Sequence, residues 1–119
     1  MAGFKNNLGE GDQPSPLKVK LVRDRIEQAF TRKLDKGDTL APANTLAGKR
    51  MLLQQKLHEE SAEIANNPDD PAEYADLLEV MLELAKTNGV SWNSIEKAVL
   101  QKREERGGFQ RAMVLTRKL

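Results

Sequence analysis

Apolar residues recur every three to four positions in four separate stretches of this chain, which is the spacing of helices with one buried face. The first stretch predicts a helix from Leu21 to Leu34. The second begins near Thr45 and ends at Asn66-Asn67, because Pro68 cannot continue a helix. No segment has the pattern of a central strand.

The third and fourth predicted helices carry clear start and stop signals. The third has Asp70 as its N-cap and Pro71 as its first residue, and it ends at Asn88-Gly89. The fourth follows a Ser91 cap and continues to Arg106. We therefore predict an all-α, four-helix bundle-like fold in which the second and third helices form an antiparallel hairpin.

The composition is that of one small domain. The chain has 119 residues, and its Gly- and Pro-containing start predicts a flexible leader over residues 1–17, followed by a single domain over residues 18–119. The segment 109–119 fits a strand, an extended arm or a helix. No apolar run approaches the roughly 18–20 residues needed to cross a bilayer, so we expect a cytoplasmic protein without a membrane partner.

Charge and residue types exclude several classes of function. Nineteen basic and eighteen acidic residues give a net charge of +1, so we expect no nucleic acid polymer as a partner. The absence of cysteine excludes disulfides and thiolate catalysis. The single histidine, His58, excludes a multi-histidine metal site within one chain.

The most informative pattern is a pair of acidic motifs on the two helices of the predicted hairpin. The first is Glu59-Glu60-x-x-Glu63, and the second is Glu73-x-x-Asp76. Residues three apart share a helix face, and the hairpin places the end of one helix beside the start of the next. Carboxylates gathered in this way suit a hard divalent cation, with Mg²⁺ favoured and Mn²⁺ as the alternative.

A purely structural interpretation of these acids remains open. Helix surfaces are rich in Glu, and Lys56 with Glu60 has the spacing of an ordinary i, i+4 ion pair. Glu73 also stands where an acid would cap its own helix. The spacing alone does not show that the two acidic faces meet.

The acidic motifs resemble the signature of the MazG-like all-α nucleoside triphosphate pyrophosphohydrolases. Two further blocks, Lys20 to Ile26 and Lys102 to Phe109, are similar to a phosphoribosyl-ATP pyrophosphohydrolase-like branch of that superfamily. The likeness extends from Lys20 to Leu115. It implies cleavage of a nucleoside triphosphate between the α and β phosphates, giving the monophosphate and pyrophosphate, with nucleotide pool cleaning as a role.

The resemblance also implies a role for each acid. Glu60, Glu63, Glu73 and Asp76 would ligate the metal, and Glu59 would orient the attacking water or ligate a further metal. Glu59, Glu60 and Glu63 are thus the expected catalytic acids.

Basic side chains would hold the phosphates of the nucleotide, and one aromatic ring would stack on its base. The candidates are Lys20, Arg23, Arg25, Lys56, Lys102, Arg106 and Phe109. Two alternatives remain open. Basic residues near the end of the fourth helix suit its dipole, and a Phe such as Phe109 is more often a core residue than a platform for a base.

Apolar residues on more than one face of the third helix, among them Val80, Met81 and Leu84, predict a homodimer or a higher homo-oligomer. The resemblance implies the same. Two competing functions remain: a non-catalytic helical module that binds a nucleotide or a protein, and a small helical nucleic-acid binder that uses the basic clusters.

Overall fold

The computed structural model describes residues 19–26 and 37–119, and it divides the chain into two units, Met1–Leu40 and Ala41–Leu119. The second unit contains three helices, α1 (Leu46–Asn66), α2 (Pro71–Thr87) and α3 (Trp92–Arg106). The described ranges contain no strand, so the predicted all-α class is confirmed. None of the helices described is long and apolar enough to cross a membrane.

The first predicted helix lies mostly outside the described residues, as does the predicted leader over residues 1–17. Its predicted start at Leu21 is too early. Residues 19–23 are irregular, and the first helical residue is Ile26, whose amide donates to the Arg23 carbonyl at 3.2 Å. Apolar spacing does not fix where a helix begins, and the residues before Leu21 (Leu17, Lys18, Val19 and Lys20) offer no side-chain oxygen that could cap a start there.

The other three helices begin and end where their capping residues predict. Thr45, Asp70 and Ser91 are the N-caps, and each side chain accepts a backbone N–H from the first turn of its own helix. Gly89 and Gly107 follow α2 and α3 with φ of 80° and 79°, a left-handed conformation that glycine adopts without a steric penalty.

Helices α1 and α2 form the predicted antiparallel hairpin. Leu53 on α1 and Val80 on α2 are the buried apolar side chains of the described ranges. At the open end of the hairpin, Lys49 Nζ lies 2.8 Å from Glu83 Oε2 and ties the start of α1 to the second half of α2. Helix α3 contacts α2 and has no buried residue.

Large apolar side chains stay exposed on α2 and α3. Leu78 and Met81 on α2 are 44% and 39% exposed, and Leu100 on α3 is 58% exposed. This surface is the one that the predicted homo-oligomer would cover, and oligomerisation stays a prediction.

The segment after α3 is neither a strand nor a helix, so of the three alternatives the arm remains. A turn closes when the Ala112 amide donates to the Phe109 carbonyl at 3.0 Å. The apolar side chains beyond this turn, including Val114 and Leu115, are exposed.

Candidate active site

Three carboxylates meet where the hairpin turns. Glu60 projects from the end of α1, and Glu73 and Asp76 project from the first two turns of α2. One oxygen from each lies within 4.8 Å of one from each of the others. Oxygen donors this close together can hold a metal ion of the hard, divalent kind. The predicted convergence of the two acidic motifs is therefore present at these three residues.

Glu60 is the buried charged residue of the described ranges, with 8% of its surface exposed. Lys56 Nζ lies 3.2 Å from Glu60 Oε2 and 3.5 Å from Glu59 Oε1. The Lys56 side chain is itself only 18% exposed, so this pair is not an ordinary solvated ion pair. Burying the Glu60 carboxylate without such a partner would be strongly destabilising.

Of the three carboxylates, Glu73 is the one whose ionised form is disfavoured by its surroundings. Partial burial raises the pKa of its carboxyl, and the charges of Glu63, Asp70, Asp76 and Glu60 raise it further. The Glu73 carboxylate therefore lies in an excess of negative charge that Lys56 does not balance. A cation placed among these oxygens would relieve the repulsion.

The turn between α1 and α2 holds the acidic residues in register. Tyr74 donates its hydroxyl proton to the Pro68 carbonyl at 2.9 Å, and the Asn67 side-chain amide donates to Glu73 Oε2 at 3.4 Å. The Asp70 amide donates to the Asn67 carbonyl at 3.3 Å. An open hollow of about 490 Å³ lies on this turn and is lined by residues 66–71.

Glu63 and Glu59 lie at the edge of the acidic cluster. Glu63 is exposed and is not among the three carboxylates that converge, although its charge contributes to the raised pKa of Glu73. Glu59 is half-buried and faces Lys56. Two expected roles stay predictions: Glu63 as a metal ligand, and Glu59 as the residue that orients the attacking water or ligates a further metal.

Of the predicted basic residues, the structure places Lys56 at the acidic cluster. Lys102 and Arg106 are exposed on α3, which contacts α2 but not α1. Phe109 is 98% exposed, so the alternative that it belongs to the core of this chain is wrong. The remaining candidates lie in the other unit of the chain and are exposed there: Lys20, Arg23 and Arg25.

Two polar groups of the hairpin, one in its exposed turn and one on α1, were missed by the sequence analysis. In the sequence, Asn67 before a proline indicates only a turn at the end of a helix. The hydrogen bond from its side-chain amide to Glu73 has no sequence signal of its own. Arg50 lies one turn before Leu53 on α1, and its Nε is buried with no hydrogen-bond partner. No sequence signal distinguishes Arg50 from the other basic residues of α1.

Comparison with known proteins identifies the family. The family model described as dATP/dGTP pyrophosphohydrolase matches residues 47–110, which is more than half of the chain and includes every residue of the acidic cluster. Neither a curated protein nor a solved structure gives a significant match. The predicted MazG-like membership is confirmed: the chain belongs to the dATP/dGTP pyrophosphohydrolase family and is a nucleotide pyrophosphohydrolase.

Proposed function

We propose that this enzyme hydrolyses a purine deoxynucleoside triphosphate, dATP or dGTP, between the α and β phosphates and releases the monophosphate and pyrophosphate. The observation that carries the proposal is the convergence of three carboxylates within 4.8 Å at the hairpin turn. The name of the matched family supports the purine deoxynucleotide as substrate. Removal of such nucleotides from the pool is the proposed role.

We propose Mg²⁺ as the metal, with Mn²⁺ as the alternative. A divalent cation neutralises phosphate charge and lowers the pKa of a bound water, so that hydroxide is available near neutral pH. Glu60, Glu73 and Asp76 would hold it, since their oxygens already converge. Glu63 would be the fourth ligand, and Glu59 would orient the attacking water.

Positive charge is needed because a triphosphate and an acidic cluster repel each other. Lys56 is the ammonium already at the cluster. The other proposed phosphate ligands are Lys20, Arg23, Arg25, Lys102 and Arg106, and the exposed ring of Phe109 is the proposed stacking surface for the base.

We also propose that the enzyme is a homodimer or a higher homo-oligomer and acts in the cytoplasm. This proposal is supported by the exposed apolar side chains of α2 and α3, such as Leu78 and Leu100, which a second copy of the chain would bury. The net charge of +1 and the acidic cluster argue against a nucleic acid polymer as partner.

A panel of nucleotides tests the activity. Each of the eight common ribo- and deoxyribonucleoside triphosphates is incubated with the enzyme and Mg²⁺ or Mn²⁺, and pyrophosphate and orthophosphate are measured separately. We expect pyrophosphate, with dATP and dGTP the best substrates. Orthophosphate as the primary product would contradict cleavage between the α and β phosphates, and a preferred pyrimidine nucleotide would contradict the purine assignment.

Substitutions test the site itself. Glu60→Gln and Glu73→Gln each replace one converging carboxylate by an amide of the same shape and should lower the rate of pyrophosphate release more than about 100-fold. Glu96→Gln, the same change at an exposed position of α3, is the matched control and should retain full activity. Full activity in the two cluster variants would exclude the cluster as the active site.

A further inference from the structure

Lys56 has an unusual place for a residue expected to bind phosphate. Its ammonium is held between Glu59 and Glu60, 3.5 Å and 3.2 Å away, and little of the side chain is exposed. In this arrangement Lys56 is a partner of the acids and not of a substrate. One of these acids, Glu60, is also a member of the converging triplet.

The Lys56 ammonium and a divalent cation would therefore compete for the Glu60 carboxylate. A divalent cation bound by the triplet would use Glu60, and the ammonium of Lys56 lies within ion-pair distance of that carboxylate. Like charges this close repel by more than the thermal energy at the effective dielectric of a partly buried site. Both cations cannot make full use of the Glu60 carboxylate.

We propose that Lys56 is the built-in counter-ion of Glu60 in the metal-free enzyme and that a divalent cation displaces its ammonium, which then becomes available to the triphosphate. The proposal rests on the metal site of the proposed function. Lys56 acts first as a positioning residue, because its ion pair holds the buried Glu60 carboxylate in place. Once a divalent cation has displaced it, the Lys56 ammonium can interact with the phosphates of the substrate. Lys56 therefore binds phosphate only when the metal is bound.

Removing the charge of Lys56 should strengthen metal binding, which is the opposite of what the loss of a packing residue would do. Removing a lysine that merely packs against the acids would leave metal affinity unchanged or weaken it. Removing a competing cation should strengthen metal binding, because the divalent ion no longer has to displace the ammonium and relieves more repulsion among the acids. Lys56→Met keeps the aliphatic part of the side chain and removes only the charge.

Calorimetric titration of the full chain with Mn²⁺ alone measures this effect without substrate turnover. We expect the Kd of Lys56→Met to fall at least about five-fold below that of the wild type. Lys56→Arg retains the charge and should stay within about two-fold. Lys49→Met removes the other lysine of α1 that pairs with an acid, Glu83, and is the matched control with an unchanged Kd.

The outcomes separate this proposal from the proposed function. An equal or weaker affinity in Lys56→Met, with Mn²⁺ binding intact in the wild type and lost in Glu60→Gln, would overturn the role of Lys56 alone. A wild-type protein that binds no Mn²⁺ would overturn the metal site and, with it, the role of Lys56.

A second measurement uses the wild type and so does not depend on the folding of a variant. Lysines are acetylated briefly with and without saturating Mn²⁺, and peptide mass spectrometry quantifies each modified site. Release of the Lys56 ammonium should increase its acetylation at least about two-fold, while Lys49 serves as the internal standard. Unchanged acetylation of Lys56 would overturn the displacement.

Discussion

Replacing Leu53 by Ala tests the packing that brings the acids of the active site together. Leu53 is 2% exposed and lies on the face of α1 that packs against α2. The substitution removes three buried carbons at about 0.8 kcal/mol each, or about 2.4 kcal/mol of transfer free energy. The cavity that remains raises the expected loss in the free energy of unfolding to about 3–4 kcal/mol.

Urea denaturation followed by far-ultraviolet circular dichroism measures this loss. Leu46→Ala is the matched control, because Leu46 is 53% exposed on α1 and lies outside the proposed oligomer surface, and it should cost less than about 0.5 kcal/mol. A domain of this size is stable by about 5–15 kcal/mol, so the Leu53 variant should remain folded but clearly weakened. A loss below about 1 kcal/mol for Leu53→Ala would refute the α1–α2 interface as the core, and with it the hairpin as the frame of the acidic cluster.

Three further predictions follow from the charges and exposed surfaces. Lys49→Met should cost about 0.5 kcal/mol at neutral pH. The ion pair with Lys49 lowers the pKa of Glu83, so it stabilises the folded protein above the ordinary glutamate pKa. This stabilisation is lost as the pH falls through the lowered pKa. Urea titrations of the wild type and of Lys49→Met should therefore give the same free energy of unfolding at strongly acid pH. Leu78→Asp should shift the sedimentation of the protein from oligomer to monomer, and a wild-type monomer at micromolar concentration would contradict the oligomer. Glu73→Gln should raise the melting temperature in EDTA and reduce the gain on adding Mn²⁺.

Local signals explain why the helix bounds were predictable. Thr45, Asp70 and Ser91 cap α1, α2 and α3 through oxygens that contact their own first turns, so each start depends on a few neighbouring residues. The start of the first predicted helix was wrong because apolar spacing predicts that a helix exists more reliably than where it begins. Leu21 has no cap before it.

The active site was predictable only to the level of its motifs. Glu60 and Glu63 lie about 60° apart around α1, so they share a face by spacing, yet only Glu60 is directed at the contact with α2 and buried there. In the sequence, Lys56 and Glu60 have only the i, i+4 spacing that is also typical of an ordinary surface ion pair. The burial of the Lys56–Glu60 ion pair results from packing between helices, and the spacing of residues along one helix does not predict such packing.

The sign of the stability change in Glu73→Gln decides between the two interpretations of this residue. As a helix cap, Glu73 would interact favourably with the N-terminus of α2, and its loss would destabilise the protein. The raised pKa of Glu73 indicates the opposite. A group with a raised pKa contributes stability below its ordinary pKa, and that contribution is lost as the pH rises through the folded value.

At neutral pH, therefore, the ionised Glu73 carboxylate costs the metal-free protein stability, and the amide should make it more stable while removing a ligand. Thermal unfolding at pH 7, with EDTA and then with Mn²⁺, measures both effects. A lower melting temperature in EDTA would mean that capping outweighs repulsion. A higher melting temperature in EDTA together with a smaller gain on adding Mn²⁺ would indicate that the Glu73 carboxylate, beside Glu60 and Asp76, serves cation binding.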